Sequence, residues 1–203
     1  KSGLTELTSV SHIRLAIHLT TAFITFGFTF WFALQLLEKE KPAVASPSIR
    51  RWSVVLLTVL TVQLIYGAFV AGLHAGKMFN TFPMMNGDVL PTGGWVTALG
   101  IENIFNNPAT VQFIHRFFAF AIVFVVGKIY LLSKHSAVTR LQDIAVKFLL
   151  VSISIQFLLG ILTVLYQAPI TLSSLHQIGA FFGAWLGGIA ITAQEAWSER
   201  NGN

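Results

Sequence analysis

Six histidines are spread along the 203 residues: His12, His18, His74, His115, His135 and His176. Two of them stand in settings that suggest chemistry. His115 sits beside Arg116 near the start of the apolar run that extends from Thr110 to Lys128, and His176 opens a second apolar run in the same way. A titratable imidazole at the mouth of a lipid-facing helix is costly unless something uses it. Below His176, Gly179, Gly183 and Gly187 fall on one helical face with it. Such a stripe serves close helix packing, or a flat wall for a planar group beneath its axial ligand, and the two are compatible. Below His115 the face is bulky and apolar: Phe118, Ala119, Ile122 and Val123.

The chain has no cysteine, so no thiolate ligand exists. Two histidines on separate helices, without a nearby carboxylate, make a poor zinc or di-iron site. Bis-histidine ligation within a helix bundle suits a low-spin, electron-transferring haem. His115 and His176 are therefore the candidate metal ligands. Arg116 would pair with a haem propionate or snorkel to the interface. Gln63 and Gln156 are the amide side chains deep in apolar runs, and helix–helix hydrogen bonding accounts for them. The span interiors carry no Asp or Glu, which speaks against a proton relay or ion pump.

These residues need a membrane to hold them. The composition is 54% hydrophobic and 10% charged, with a mean hydropathy of +0.71. Ordinary soluble domains carry about 25% charged residues. Five apolar segments, 12–37, 52–73, 112–133, 143–166 and 175–196, are each long enough for a ~30 Å hydrocarbon core. They are continuously apolar, unlike alternating barrel strands. The expected fold is all-α: a polytopic membrane helical bundle of five transmembrane helices.

Basic residues set the orientation. Lys39, Lys41, Arg50 and Arg51 lie in the 38–51 loop, and Lys134 and Arg140 in the 134–142 loop. The 74–111 loop holds only Lys77, and the 167–174 loop holds neither Lys nor Arg. The first and third loops then face the cytoplasm or matrix, with the N-terminus outside. Charge gathered in short loops is a topology signal and not a nucleic-acid face, despite the net charge of +5. On this orientation His18, His74, His115 and His176 all lie toward the outer side, and His135 lies inside. His12 and His74 read as interfacial hydrogen-bonders. The 74–111 loop carries Phe79, Phe82, Met84, Met85 and Trp95 among its glycines and prolines. It reads either as a lid on the membrane face or as an interfacial loop anchored by Trp95.

Several strings resemble the haem A synthase family. They are Val10-Ser-His-Ile-Arg-Leu-Ala-Ile-His18-Leu, Val70-Ala-Gly-Leu-His74 through Asn80-Thr-Phe-Pro83, Ala109-Thr-Val-Gln-Phe-Ile-His115-Arg116, and Leu175-His176-Gln177. The resemblance covers essentially the whole chain. It implies an eight-span protein of two similar halves, of which residues 1–40 supply the last helix of the first half. Residues 41–51 would be a cytoplasmic-side linker, and 52–203 a four-helix half that binds haem b. It further implies that His115 and His176 ligate that haem b, and that His18 is one ligand of the substrate haem O. The other ligand and the catalytic groups are expected upstream, because the chain, starting at Lys1, reads as the interior of a longer sequence. The implied reaction oxidises a methyl group of haem O to the formyl group of haem A, with haem b as electron relay. Implied partners are the lipid bilayer, a ferredoxin-like or quinol electron donor, and haem O synthase or cytochrome oxidase assembly factors; a homo-oligomer is compatible. The setting is a multi-pass protein of a bacterial cytoplasmic or mitochondrial inner membrane. The missing cysteines place it in the family's cysteine-free subtype, and His74 departs from the residue that many members carry there. The competing assignment is a bis-histidine membrane cytochrome b that only relays electrons. Such a subunit would be expected to hold haems near both faces, whereas the candidate ligands here share one side.

Overall fold

The computed structural model describes residues 11–37, 46–138 and 140–181. In chain order the helices are α1 (His12–Leu37), α2 (Pro47–Gly72), the single turn α3 (Ala75–Met78), a 3-10 segment (Thr97–Glu102), the short α4 (Asn103–Asn106), α5 (Pro108–Lys134), α6 (Arg140–Leu165) and α7 (Ile170–Gly179). Four of them, α1, α2, α5 and α6, are long and apolar enough to cross a membrane. The fifth expected span, 175–196, begins within α7. Its residues after Phe181 lie outside the described ones, as do Gly183 and Gly187.

Helix starts are set by caps rather than by the first apolar residue. Ser46 accepts a hydrogen bond from the Ile49 backbone N–H, with Pro47 next to it. Asn107 accepts from Ala109 N–H, with Pro108 next. An oxygen-bearing cap followed by proline satisfies one orphan donor and removes another. As a result α2 and α5 begin before the expected 52 and 112. Arg50 and Arg51 belong to the first turns of α2 and not to a flexible loop.

In the bundle α2 packs on both α1 and α5, α5 on α6, and α6 on α7. The main core joins Phe23, Ile49, Leu56 and Leu60 to Ile122, Val126, Ile129, Leu149 and Ile153. A smaller cluster, Ala16, Ala68, Phe69 and Val111, sits nearer the connector between α2 and α5. Large apolar residues such as Phe28, Phe32, Phe124, Phe148 and Leu158 point outward and are exposed. Water would penalise such a surface at about 25 cal/mol per Å², while lipid tails do not.

The stretch between α2 and α5 is a folded cap rather than a string. Asn103 is fully buried and serves as its hub. Its amide donates to the carbonyls of Val96 and Gly100, both at 2.8 Å, and its oxygen accepts from Val96 N–H at 2.9 Å. Asn107 donates to the Gly93 carbonyl at 2.8 Å and to Asn103 Oδ1 at 2.9 Å. The Thr110 hydroxyl donates to the Gly94 carbonyl. Among the large apolar side chains Met85 is buried, whereas Met84 and Trp95 are exposed. By contrast α6 and α7 are joined by residues 166–169 alone. Gln167 and Ala168 take left-handed backbone angles there, with φ of 61° and 54°.

The orientation has a direct test. The chain has no native cysteine, so single cysteines report cleanly. Thr97→Cys should react with a membrane-impermeant maleimide applied from the outer side. His135→Cys should react only after the membrane is permeabilised. Equal labelling of both from one side would contradict the topology.

Candidate functional site

The end of the bundle that carries the 73–107 connector holds two arrangements with the same pattern. His115 on α5 lies against α2. There Gln63 donates its amide to Nε2 of His115 at 3.4 Å, and Gly67 stands so close that a Cβ would come within 3.3 Å of His115 Cε1. His176 on α7 lies against α6. There Gln156 donates to Nδ1 of His176 at 2.8 Å and to the His176 carbonyl at 2.5 Å. A Cβ on Gly160 would come within 3.0 Å of His176 Cε1. In each case a glutamine and, one helical turn later, a glycine form a notch that receives an imidazole from a neighbouring helix.

The register repeats as well. Gln63 lies nine residues before Gly72, where α2 ends, and Gln156 lies nine before Leu165, where α6 ends. Both imidazoles are half-buried. Nδ1 of His115 and Oε1 of both glutamines are buried without a hydrogen-bond partner. A native interior leaves few polar atoms in that condition without a functional or ligand-related reason. Gly179, placed by the sequence on a small-residue stripe, faces Gln156: a Cβ there would collide with its amide oxygen. At that position close packing is what the glycine provides.

Arg116 serves the cap. Its Nη1 donates to the carbonyls of Thr81 at 2.9 Å and of Pro83 and Met84 at 3.3 Å, and its Nη2 donates to Phe79 at 2.8 Å. Gln112, one turn earlier on α5, donates to the same Phe79 carbonyl at 3.0 Å. The ring of Phe82 stacks on Phe120 at 6.2 Å and meets Phe157 edge-on at 6.3 Å. Residues 79–84 are thereby lashed over α5 and α6, next to His115. Nε of Arg116 is buried without a partner.

The remaining histidines are placed apart from this centre. His18 is exposed; on α1 it stands nearly opposite the buried face of Ala16 and Phe23. His12 bonds Asn106 Oδ1 through Nε2 at 3.1 Å and sets its ring edge-on to Phe69. His74 is exposed and takes a left-handed conformation before α3. His135 is exposed at the end of α5. Among the described residues no three His, Cys, Asp or Glu side chains gather as metal ligands. The two imidazoles in matched notches are nitrogen donors of the type a haem iron takes.

The glutamine notches were not deduced from the sequence. The signal is there: Gln63-Leu-Ile-Tyr-Gly67 and Gln156-Phe-Leu-Leu-Gly160 are the same spaced pair on two spans. Each precedes one of the two candidate ligands.

The lashing of residues 79–84 is testable. Arg116→Ala removes charged donors from four carbonyls and should cost the segment on the order of 2 kcal/mol of local stability. Amide exchange at residues 79–86 should quicken by about 30-fold while the centre of α5 stays protected. Unchanged exchange would mean that the cap is held elsewhere.

Comparison with known proteins gives a consistent picture. The family model described as COX15-CtaA, cytochrome oxidase assembly protein, matches residues 1–183. A protein named heme A synthase from Flavobacterium johnsoniae is 41% identical over 184 residues, covering 90% of this chain and 54% of that protein. Proteins of the same name from Wolbachia pipientis wMel and Bartonella henselae are 38% and 41% identical, covering 92% and 86% of this chain and 52% and 49% of their own lengths. The chain thus spans about half the length of the curated relatives it matches. No solved structure matches it.

Proposed function

The chain belongs to the COX15-CtaA family of cytochrome oxidase assembly proteins, and from that membership we propose that it works as the haem b half of a haem A synthase. The reaction is oxidation of the haem O methyl group to the formyl group of haem A. His115 and His176 would hold the iron of the haem b. Haem b, when bound, supplies the reversible one-electron chemistry that feeds the oxidation. The protein's own part is to hold two imidazoles at one height, keep them from swinging and exclude water from between them.

The observation that carries this reading is the pair of notches. A low-spin bis-histidine haem needs both imidazoles fixed in rotation as well as in position. Gln63 with Gly67 at His115, and Gln156 with Gly160 at His176, supply contacts of that kind. The apolar face below His115 suits a porphyrin edge, and Phe118, on that face, stacks with Tyr66 at 6.3 Å. His18, exposed on α1, is assigned to the substrate haem O, its ring directed away from the described bundle. Arg116 keeps its assignment to a propionate only through Nε, because its terminal nitrogens hold residues 79–84. The haem faces the outer side of a bacterial cytoplasmic or mitochondrial inner membrane. Its electrons come from a ferredoxin-like or quinol donor, and haem O synthase and oxidase assembly factors are its working partners.

Replacement of either ligand is the test. His115→Ala and His176→Ala should each abolish the low-spin haem b spectrum of the purified membrane protein, with its helical content retained. His135→Ala should leave the spectrum unchanged. A low-spin spectrum that survives both ligand substitutions would refute the assignment. A haem-loaded, reduced, intact protein that never converts haem O would leave an electron-relaying cytochrome as the function.

A further inference from the structure

We propose that residues 79–84 form a re-entrant segment, lying inside the leaflet on the connector side of the membrane and presenting Phe82, Pro83 and Met84 to lipid acyl chains. The proposal rests on the membrane-spanning helices and not on the assignment of any haem ligand.

The depth of the segment follows from what it touches. A hydrocarbon core of ~30 Å centred on α5 (Pro108–Lys134) has its connector-side boundary near residue 111, at about 1.5 Å per residue. Phe120 then lies roughly 13 Å inside the core, and Phe157 on α6, by the same measure, roughly 8 Å inside it. The ring of Phe82 is 6.2 Å from the first and 6.3 Å from the second, and those two rings meet each other at 5.2 Å. Even a Phe82 ring set wholly above both stays within hydrocarbon.

Non-helical backbone is tolerated at that depth only where protein supplies its hydrogen-bond partners, because lipid offers none. The segment is supplied in that way. The Met78 carbonyl accepts from the Asn86 amide at 3.2 Å. The Phe79 carbonyl accepts from Gln112 and Arg116, and the Thr81 and Pro83 carbonyls accept from Arg116. The Met84 carbonyl accepts from Arg116 and from the Thr81 hydroxyl. That hydroxyl in turn accepts from the Asn86 backbone N–H at 2.7 Å, and Pro83 has no N–H to satisfy. A loop in water would leave such carbonyls to solvent. A guanidinium just inside the hydrocarbon has the reciprocal need for acceptors, and residues 79–84 provide them. The polar side of the segment thus faces α5, and its side chains are left for the lipid.

The surface has the matching character. Residues 79–84 carry no charged side chain, and Lys77 and Asp88 are the nearest charges on either side in sequence. Phe117, Phe120, Phe124 and Leu158 are exposed on α5 and α6. That apolar belt continues onto the segment through the stack of Phe82 on Phe120, and Met84, two residues further, is exposed as well.

The test uses the intact membrane protein in phospholipid vesicles and two diazirine probes, one carried in a phospholipid acyl chain and the other soluble in water. Carbene adducts formed on irradiation are mapped by peptide mass spectrometry. The proposal expects the acyl probe to mark residues 82–84 together with Phe117 and Phe124, and the water-soluble probe to leave residues 82–84 unmarked. Marking of residues 82–84 by the water-soluble probe alone would overturn it, because the segment would then lie in water. So would the absence of both marks there beside marked Phe117 and Phe124, because another protein surface would then cover it. A second measurement places a nitroxide on Met84→Cys, Phe124→Cys or Thr97→Cys in this cysteine-free chain. Oxygen should relax the labels at 84 and 124 several-fold more than a water-soluble nickel chelate does, with the order reversed at 97. A label at 84 that follows the order at 97 would refute the proposal.

Discussion

A polar group inside a bundle that faces lipid must be satisfied from within, because no water reaches it and the surrounding tails offer nothing. The outer end of this bundle is organised by that constraint. Each candidate ligand histidine is met by a glutamine from the neighbouring helix, and each has a glycine cut away to let the ring approach. The one arginine nearby is spent on backbone carbonyls of the connecting cap. The inner part of the bundle has the opposite character. There Leu56, Val126, Ile129 and Leu149 are buried between the helices. The packed inner core holds the helices in register, and the outer end can then carry polar atoms that a looser assembly would let drift.

Sequence and structure agree most where physics leaves little choice. Continuous apolar runs of this length have to be helices in a membrane, and α1, α2, α5 and α6 follow them. Their starts were harder to read. Ser46-Pro47 and Asn107-Pro108 extend α2 and α5 beyond the hydrocarbon, because a capped end with proline is stable without lipid contact. The two candidate ligands stand out in the sequence because imidazoles are costly at those depths. Their supports stand out less. An amide deep in a span reads equally well as a helix–helix hydrogen bond, and only coordinates reveal that its partner is an imidazole. Arg116 is a similar case. Its position beside His115 suggests a carboxylate partner, yet the fold of residues 79–84 brings four carbonyls to it first. That fold depends on tertiary contacts, such as Gln112 to Phe79 and Phe82 to Phe120, which no local pattern encodes.

The repeated spacing of glutamine and glycine suggests two equivalent helix pairs, α2 with α5 and α6 with α7, each bringing one imidazole. Their outer surfaces differ. The first pair is roofed by the cap around Asn103, whereas α6 meets that cap through Phe157 against Phe82 and turns into α7 through the bend at residues 166–169. The cap covers the His115 side and leaves the two flanks of the centre unequal.

The two connectors also differ in what they ask of the chain. Bringing α6 to α7 closes a few residues, whereas bringing α2 to α5 closes the much longer stretch 73–107. Polymer entropy makes the longer closure dearer by roughly 2 kcal/mol. The hydrogen bonds of Asn103, Asn107 and Arg116 offset a debt of that size. Trimming the cap to a plain flexible tether would return the debt to the bundle, and the height of one imidazole relative to the other would be the first thing to loosen.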